Sequence, residues 1–308
     1  MSRISQVVFV LAVAAAAACL PAVAVQRVFV ASYGSDANTA TNCSFANPCR
    51  GFTAAMSVVD PGGEVVALDA AGYGAVTITK SVTITANPGF YAGISASTGN
   101  AVTIGTAGVK VTLRGLNINS IGATNGVFMN NGAALSIENC VISNFSSGNG
   151  VYVFATATVR IIDSLIRDNG FGIALQGAPT ADITGTKILG NSTAGLMVYS
   201  QTASSLAIAT VTDSVLANNA INVYAFETVA SALNRIAVIR STISNGAYGL
   251  RSQFSGGPTI ISVSESLIAS NTVGFSQEGA GSTLESFGNN TARYNGPDTG
   301  TVTSVALR

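Results

Sequence analysis

Apolar and polar positions alternate along most of this chain in short runs, and the runs themselves recur. Val-Thr-Ile occurs at 76–78, 82–84 and 102–104, the in/out alternation of a strand with one buried face. From about residue 115 to 280 the alternation is organised into a longer unit, Ser-x-Ile-x-x-Asn followed by Gly and alternating apolar residues. Its apolar anchor falls at Ile118, Val141, Ile166, Ile188, Leu216, Ile243 and Ile268, so the unit recurs every 22 to 28 residues. Repeats of this length mark a solenoid, in which each unit buries its apolar side only by stacking on its neighbours. No intervening segment shows the period of about 3.6 residues that a helix requires, which separates the pattern from leucine-rich repeats. At about 3.3 Å per residue, one unit makes a coil of three short strands and three turns. The pattern predicts an all-β, single-domain parallel β-helix of about nine coils.

Ahead of the repeats, 27–34 reads as a first strand and 35–51 as a polar loop. Phe52 to Val59 reads as a short helix stopped by Pro61-Gly62-Gly63. Strands are expected at 64–69, 75–79, 81–86, 101–105 and 109–118. A stack of coils has two raw edges, each a template for aggregation. The helix is placed to cover one. The tail from Leu284 to Arg308, which breaks the repeat, is expected to cover the other as an irregular cap. The divisions are then 1–24, 25–63, 64–283 and 284–308. The first reads as a signal peptide, with Arg3, an apolar run from Val7 to Leu20 and a small-x-small site at Ala22-Val23-Ala24. A lipoprotein acylated at Cys19 is the alternative. The expectation is export, to the periplasm or the cell surface, with no transmembrane span once the signal is removed, and a monomer.

Charge and cysteine usage narrow the reading. Lys and Arg number 14, as do Asp and Glu, so there is no basic excess for a phosphate backbone and nucleic acid is not an expected partner. Cys43 and Cys49 bracket a short loop, and an exported chain would pair them. Cys140 is left over, as either a thiol partly buried in a strand or a reactive one; nothing basic adjoins it in sequence to lower its pKa. The Asn at anchor plus three (Asn144, Asn169, Asn191, Asn219 and Asn271) reads as a structural ladder. Asn tolerates a left-handed corner, and stacked amides bond to one another up a column. At Ile118 and Ile243 the position holds Ile121 and Gly246 instead. A Gly column marks another corner, with Asn222 substituting once.

Two constellations are candidates for chemistry. At anchor minus three, Glu138 would stack beside Asp163, with Arg160 and Arg167 nearby in sequence. Two such carboxylates are placed to share a Ca²⁺ ion, or to act as an acid and a base; a solvated ion ladder is the plainer reading. In the same column Asp213, Arg240 and Glu265 alternate in sign. The second constellation follows each corner Gly. Positions plus one and plus three should point inward, as in Val127/Met129 or Val223/Ala225. Positions plus two and plus four should then point outward, and they gather Phe128, Tyr152, Phe154, Tyr199, Tyr224 and Phe226. An outward face ought to be polar. Insertions at 201–207 and 228–235 either flank these rings, making a groove suited to sugar rings, or fold over them as a satellite core.

The entry segment NCSFANPCRGFTAAMSVVDPGGEVVALDAAGYG, the run VTITKSVTI at 76–84 and the DSLIRDN-type coils at 163–169, 213–219 and 265–271 resemble the right-handed parallel β-helix superfamily of pectate-lyase-like proteins. More narrowly, they are similar to exported bacterial β-helix repeat proteins. The resemblance covers nearly the whole exported chain and, with the crossover rule for parallel strands, implies a right-handed coil. It is specific for fold and weak for activity, since the superfamily holds lyases, hydrolases, esterases, epimerases and adhesins. The chain has no His and no Trp, and Gly72-Tyr73-Gly74-Ala75 lacks the acid of the pectinesterase Gly-x-Tyr-x-Glu segment. The first expectation is therefore binding of a glycan or cell-envelope polymer along the aromatic face. Alternatives are a lyase or hydrolase acting on acidic polysaccharide through Glu138, Asp163, Arg160 and Arg167, and a structural or adhesive surface protein.

Overall fold

In the computed structural model, which describes residues 26–306, thirty-one strands form three parallel sheets of twelve, nine and ten strands. Each coil contributes one strand to each sheet, giving an all-β right-handed parallel β-helix of about nine coils in a single domain, with two short helices among the described residues. The expected signal peptide, 1–24, lies outside the described residues. The first sheet runs from Arg27–Val30 through strands such as Ala134–Glu138 and Leu206–Thr212 to Val302–Val305. The second runs from Val76–Ile78 to Val273–Glu278, and the third from Ala71–Gly72 to Thr291–Arg293. Inward positions form continuous buried columns. In the third sheet, for example, Ile94, Ile118, Ile142, Ile166 and Ile188 are in register and fully buried.

That register corrects one anchor. Ile142, not Val141, aligns with Ile118 and Ile166. Both residues are apolar, and Asn144 at Val141 plus three imitated a ladder position. The true ladder position in that coil is Phe145, which is buried and donates its backbone N–H to Asn169 Oδ1 at 3.0 Å. Asn144 is exposed and left-handed, with φ 69°, and donates to Asn119 Oδ1 at 2.6 Å. The left-handed corner lies one residue before the ladder throughout, at Asp168, Gly190, Asn218, Asn245 and Ser270. The ladder Asn residues themselves are not left-handed; only the amide-stacking reason for them survives.

The ladder is made of paired bonds. Asn191 Oδ1 accepts from the backbone N–H and the Nδ2 of Asn169, at 3.1 and 3.0 Å. Asn219 Oδ1 accepts in the same way from Asn191, at 2.9 and 2.8 Å. Two of the exceptions in the sequence, Gly246 and Asn222, turn out to be one device. Where Gly246 leaves a gap, Asn222 turns inward from the Gly column, accepting from Asn219 Nδ2 at 2.8 Å and donating to Asn271 Oδ1 at 3.0 Å. A Cβ on Gly246 would stand 2.6 Å from Asn222 Nδ2, so the glycine makes room for the borrowed amide. The series then passes to Asn295 through Asn271.

A second ladder runs up the corner between the first and third sheets. Ser164, Thr186, Ser214, Ser241 and Ser266 are all buried. Each hydroxyl donates to the carbonyl two residues before it, and accepts the backbone N–H of its counterpart one coil earlier. Cys140 stands at the head of this column: its N–H donates to Ser164 Oγ at 3.2 Å, and its thiol faces the carbonyls of Glu138 and Leu113. The leftover thiol is a sulfur member of a hydroxyl ladder, between Leu116 in the coil before and Ser164 in the coil after. Burial pushes it up to about 11.

Three other expectations change. The strand expected over 109–118 is two strands, Lys110–Arg114 and Leu116–Ser120, broken at Gly115 with φ 71°. Ala92–Ala96 is a strand that the alternation did not reveal. The tail from 284, expected as an irregular cap, carries the first and third sheets onward: Ala292 is in register with Ile268, and Leu284 with Val302. At the other end, the helix Phe52–Val58 buries Phe52, Ala55 and Met56, and the Cys43–Cys49 disulfide forms beside the first strand.

Replacing Asn191 by Ala strands two donors of Asn169 in a buried column and should cost about 2–3 kcal/mol, whereas Asn144→Ala should stay within about 0.5 kcal/mol; urea unfolding of the two variants measures the contrast. Cys140 in the folded protein should resist iodoacetamide and react only on unfolding. Cys140→Ser should keep stability within about 1 kcal/mol, because a hydroxyl continues the ladder.

Candidate functional site

The outward face of the nine-stranded sheet carries the expected aromatic residues. Alternation along each strand sends Val127, Met129, Val151, Val153, Leu196, Val198, Val223 and Ala225 fully into the core, which leaves their neighbours outside. Register then sorts those neighbours into columns. One contains Phe128, Tyr152, Ala174, Met197, Tyr224 and Arg251. The next contains Phe154, Gln176, Tyr199, Phe226, Gln253 and Glu278. Phe128, Tyr152, Tyr199, Tyr224 and Phe226 are half-buried, and Phe154 is 43% exposed. Phe128 and Tyr152 lie with ring centroids 5.3 Å apart, and Tyr224 and Phe226 stack at 5.6 Å.

Polar groups fix the rings. The amide of Gln176, 2% exposed, takes the hydroxyls of Tyr152 and Tyr199 on one oxygen, the latter at 2.6 Å. Tyr224 donates to Gln253 Oε1. Burial, and then the neighbouring Tyr152 hydroxyl, push Tyr199 far above the ordinary phenol range. At one end Arg251 binds Glu278 through two bonds of 2.8 Å and lies over the rings of Tyr224 and Tyr248, at 5.3 and 4.7 Å. The bond from Arg251, opposed by partial burial and helped by Ser276, holds the Glu278 carboxyl below its usual range.

The insertions make a rim. Much of each serves to lengthen strands of the first sheet, Leu206–Thr212 and Leu233–Ile239. What remains as loop, 201–205 and 228–232, borders the rings without enclosing them. Asn149, Phe171, Met197, Tyr199, Gln201, Phe226 and Thr228 line an open cleft of about 210 Å³. Phe171 and Tyr248 escaped the sequence reading. They belong to a third outward column, one residue before each corner Gly, in register with Asn149 and Ile221. The recurrence of large residues just before that Gly was the available signal.

The acidic candidates do not share a column. With the anchor corrected, Asn139 rather than Glu138 shares the corner column of Asp163, and both are left-handed there. Glu138 sits opposite Ile162 and Arg114. It binds Arg114 at 2.7 Å and accepts from Ser136 Oγ at 2.8 Å. Burial pushes its carboxyl up, but the bonds from Arg114 and Ser136 outweigh this and leave it below the usual range. Arg160 lies on the first sheet opposite Asp182, and Arg167 pairs with Asp168 on the third. Arg240 pairs with Asp213 at 2.9 Å, an exposed ion pair of the kind the alternating column suggested. Among the described residues no three acidic or Cys side chains converge as a metal site would need, and no helix is long and apolar enough to cross a membrane.

This architecture has counterparts. Residues 92–291 match the family model described as the right handed beta helix region, and the chain belongs to that family. No curated protein matches. Among solved structures, the pectate lyase Pel9A superposes with a TM-score of 0.66 at 16% identity, covering 91% of this chain and 79% of the other. A rhamnogalacturonan lyase superposes with a TM-score of 0.49 at 10% identity, over 92% and 87%. The A-module of the Azotobacter vinelandii mannuronan C-5 epimerase AlgE6 gives 0.44 at 13%, over 83% and 94%. At these identities the likeness is one of fold.

Because the folded Glu278 carboxyl titrates below its unfolded value, the Arg251–Glu278 pair contributes stability that is present above the usual 4.5 and is lost as pH falls through the folded value. Glu278→Gln should therefore destabilise the protein by about 1 kcal/mol near pH 7, with the difference shrinking toward pH 3, as thermal melts across that range would record.

Proposed function

We propose that this chain is an exported polymer-binding β-helix whose ligand, a glycan, lies along the outward aromatic face of the nine-stranded sheet. The observation that carries the proposal is the cleft lined by Tyr199, Phe226, Phe171 and Met197, with Asn149, Gln201 and Thr228 around it. A contiguous apolar patch left open on a protein surface is uncommon and often functional. Rings with amides and a hydroxyl beside them complement what a sugar presents: an apolar ring face and an edge of hydroxyls. Strands of successive coils lie about 4.8 Å apart, close to the length of one sugar unit, so a chain running along the axis meets a similar surface at each coil. The Cys43–Cys49 disulfide accords with an oxidising compartment. The likeness to a pectate lyase makes a polysaccharide ligand a natural choice for a coil of this kind.

The competing enzyme reading needs Glu138, Asp163, Arg160 and Arg167 free to act on one substrate, whereas Glu138 is paired with Arg114 on the first sheet and Arg167 with Asp168 at the third. The adhesive reading needs no cleft.

Purified protein should bind members of an immobilised glycan panel. Tyr199→Ala and Phe154→Ala should each weaken binding by about fivefold, as expected for loss of one aromatic contact, without a shift in melting temperature for the more exposed Phe154. Unchanged affinity in both variants would move the ligand away from this face. Release of unsaturated products from acidic polysaccharide would instead favour the enzyme.

A further inference from the structure

The face is nearly without charge, and this bears on which glycan it takes. In the three outward columns between Asn100 and Glu278, only Arg251 and Glu278 are ionised, and each neutralises the other. Arg251 is further held over Tyr224 and Tyr248. The remaining carboxylate on these strands, Glu227, turns inward and is fully buried, accepting from Val229 N and Asn234 Nδ2 at 2.7 Å each. At the nearest corner, Arg167 and Asp168 pair with one another. What the face presents is rings and neutral hydrogen-bonding groups. Asn100, Asn125 and Asn149 form an amide ladder with bonds of 2.8 Å, and the last of these lines the cleft.

We infer, resting on the glycan-binding reading above, that the ligand is an uncharged, flat polysaccharide of the β-1,4-linked kind, and not a polyuronate. A uronate chain would bring one carboxylate per sugar onto this surface. Each would lose hydration against aromatic rings and find no free cation to compensate. Recruiting Arg251 would not help, because it would leave Glu278 unpaired in its place. A neutral pyranose carries no such cost. Its C–H face covers Tyr199, Phe226 or Phe154, while its hydroxyls reach Asn149, Gln201 and Thr228. A ribbon-like chain with equatorial linkages suits columns kept in register from coil to coil better than a helically coiled one.

The test uses the whole protein, whose intrinsic emission is that of tyrosine because the chain has no Trp. Tyrosine fluorescence and calorimetric titrations would compare cello-, manno- and xylo-hexamers with the hexamers of galacturonate and mannuronate. The expected result is binding to at least one neutral hexamer, unchanged between about 0.05 and 0.5 M salt, since no charged contact is there to be screened. It should weaken about fivefold in Phe154→Ala, a substitution of an exposed ring that leaves the core intact. Preferential binding of a uronate hexamer, weakened by salt, would overturn the neutral-ligand inference and leave the glycan reading standing. Binding of neither series would overturn both.

Discussion

Everything in this molecule depends on satisfying backbone groups at the corners of a stacked coil. Strands satisfy one another up the stack, but each corner turns N–H groups toward an interior that water does not enter, and an unpaired buried donor costs about 1–3 kcal/mol. Two columns of side chains answer this. Asn169, Asn191, Asn219 and Asn271 take the N–H groups of one corner, and Ser164, Thr186, Ser214, Ser241 and Ser266 take those of another. The Ser and Asn of the repeat are therefore the conditions under which the apolar anchors between them can be buried at all. The exceptions obey the same rule. Gly246 is possible because Asn222 supplies its amide, and Cys140 is possible because its N–H is the donor and Ser164 the acceptor.

This explains which parts of the fold were legible in the residues. The sheet count, the coil and the inward columns follow from alternation and period, both of which report burial directly. Register is harder, since a shift of one residue leaves an apolar pair such as Val141-Ile142 apolar. There the eye followed Asn144, which serves a left-handed turn, instead of Phe145, which fills the ladder position. The slip had a chemical consequence: it put Glu138 in the column of Asp163, where the stack has Asn139, and it missed the Arg114 that Glu138 binds. The last turn was missed because its anchor is Ala292 and its hydroxyl position is Asn290. The amide still takes the Ser266 N–H, and Asn295 still ends the ladder.

The aromatic face was legible for a different reason. It breaks the rule that outward positions are polar, and such a violation is visible once inward positions are known. What could not be read was its surroundings. The twin bonds of Gln176, the locking of Arg251 between two rings and the partial conversion of the insertions into strand all require the coils to be stacked first. Phe171 and Tyr248 sit before the corner Gly, a position that also holds Asn149 and Ala194, so the recurrence of large residues there is only a weak signal.

A solenoid separates scaffold from surface more cleanly than most folds. Its interior is committed to the ladders and anchors, and those residues recur whatever the chain does. Outward positions are under no such constraint. The family therefore fixes a platform on which chemistry is set by a few columns, and likeness in fold to a pectate lyase carries no commitment to its substrate. On this platform the outward columns hold rings, amides and one self-neutralised ion pair. An anionic polymer needs cations left free, and here the single arginine of the face is held by a carboxylate and two aromatic rings. Charge spent within the surface is not available to a ligand, so the residues that make this face ordered are also those that make it neutral.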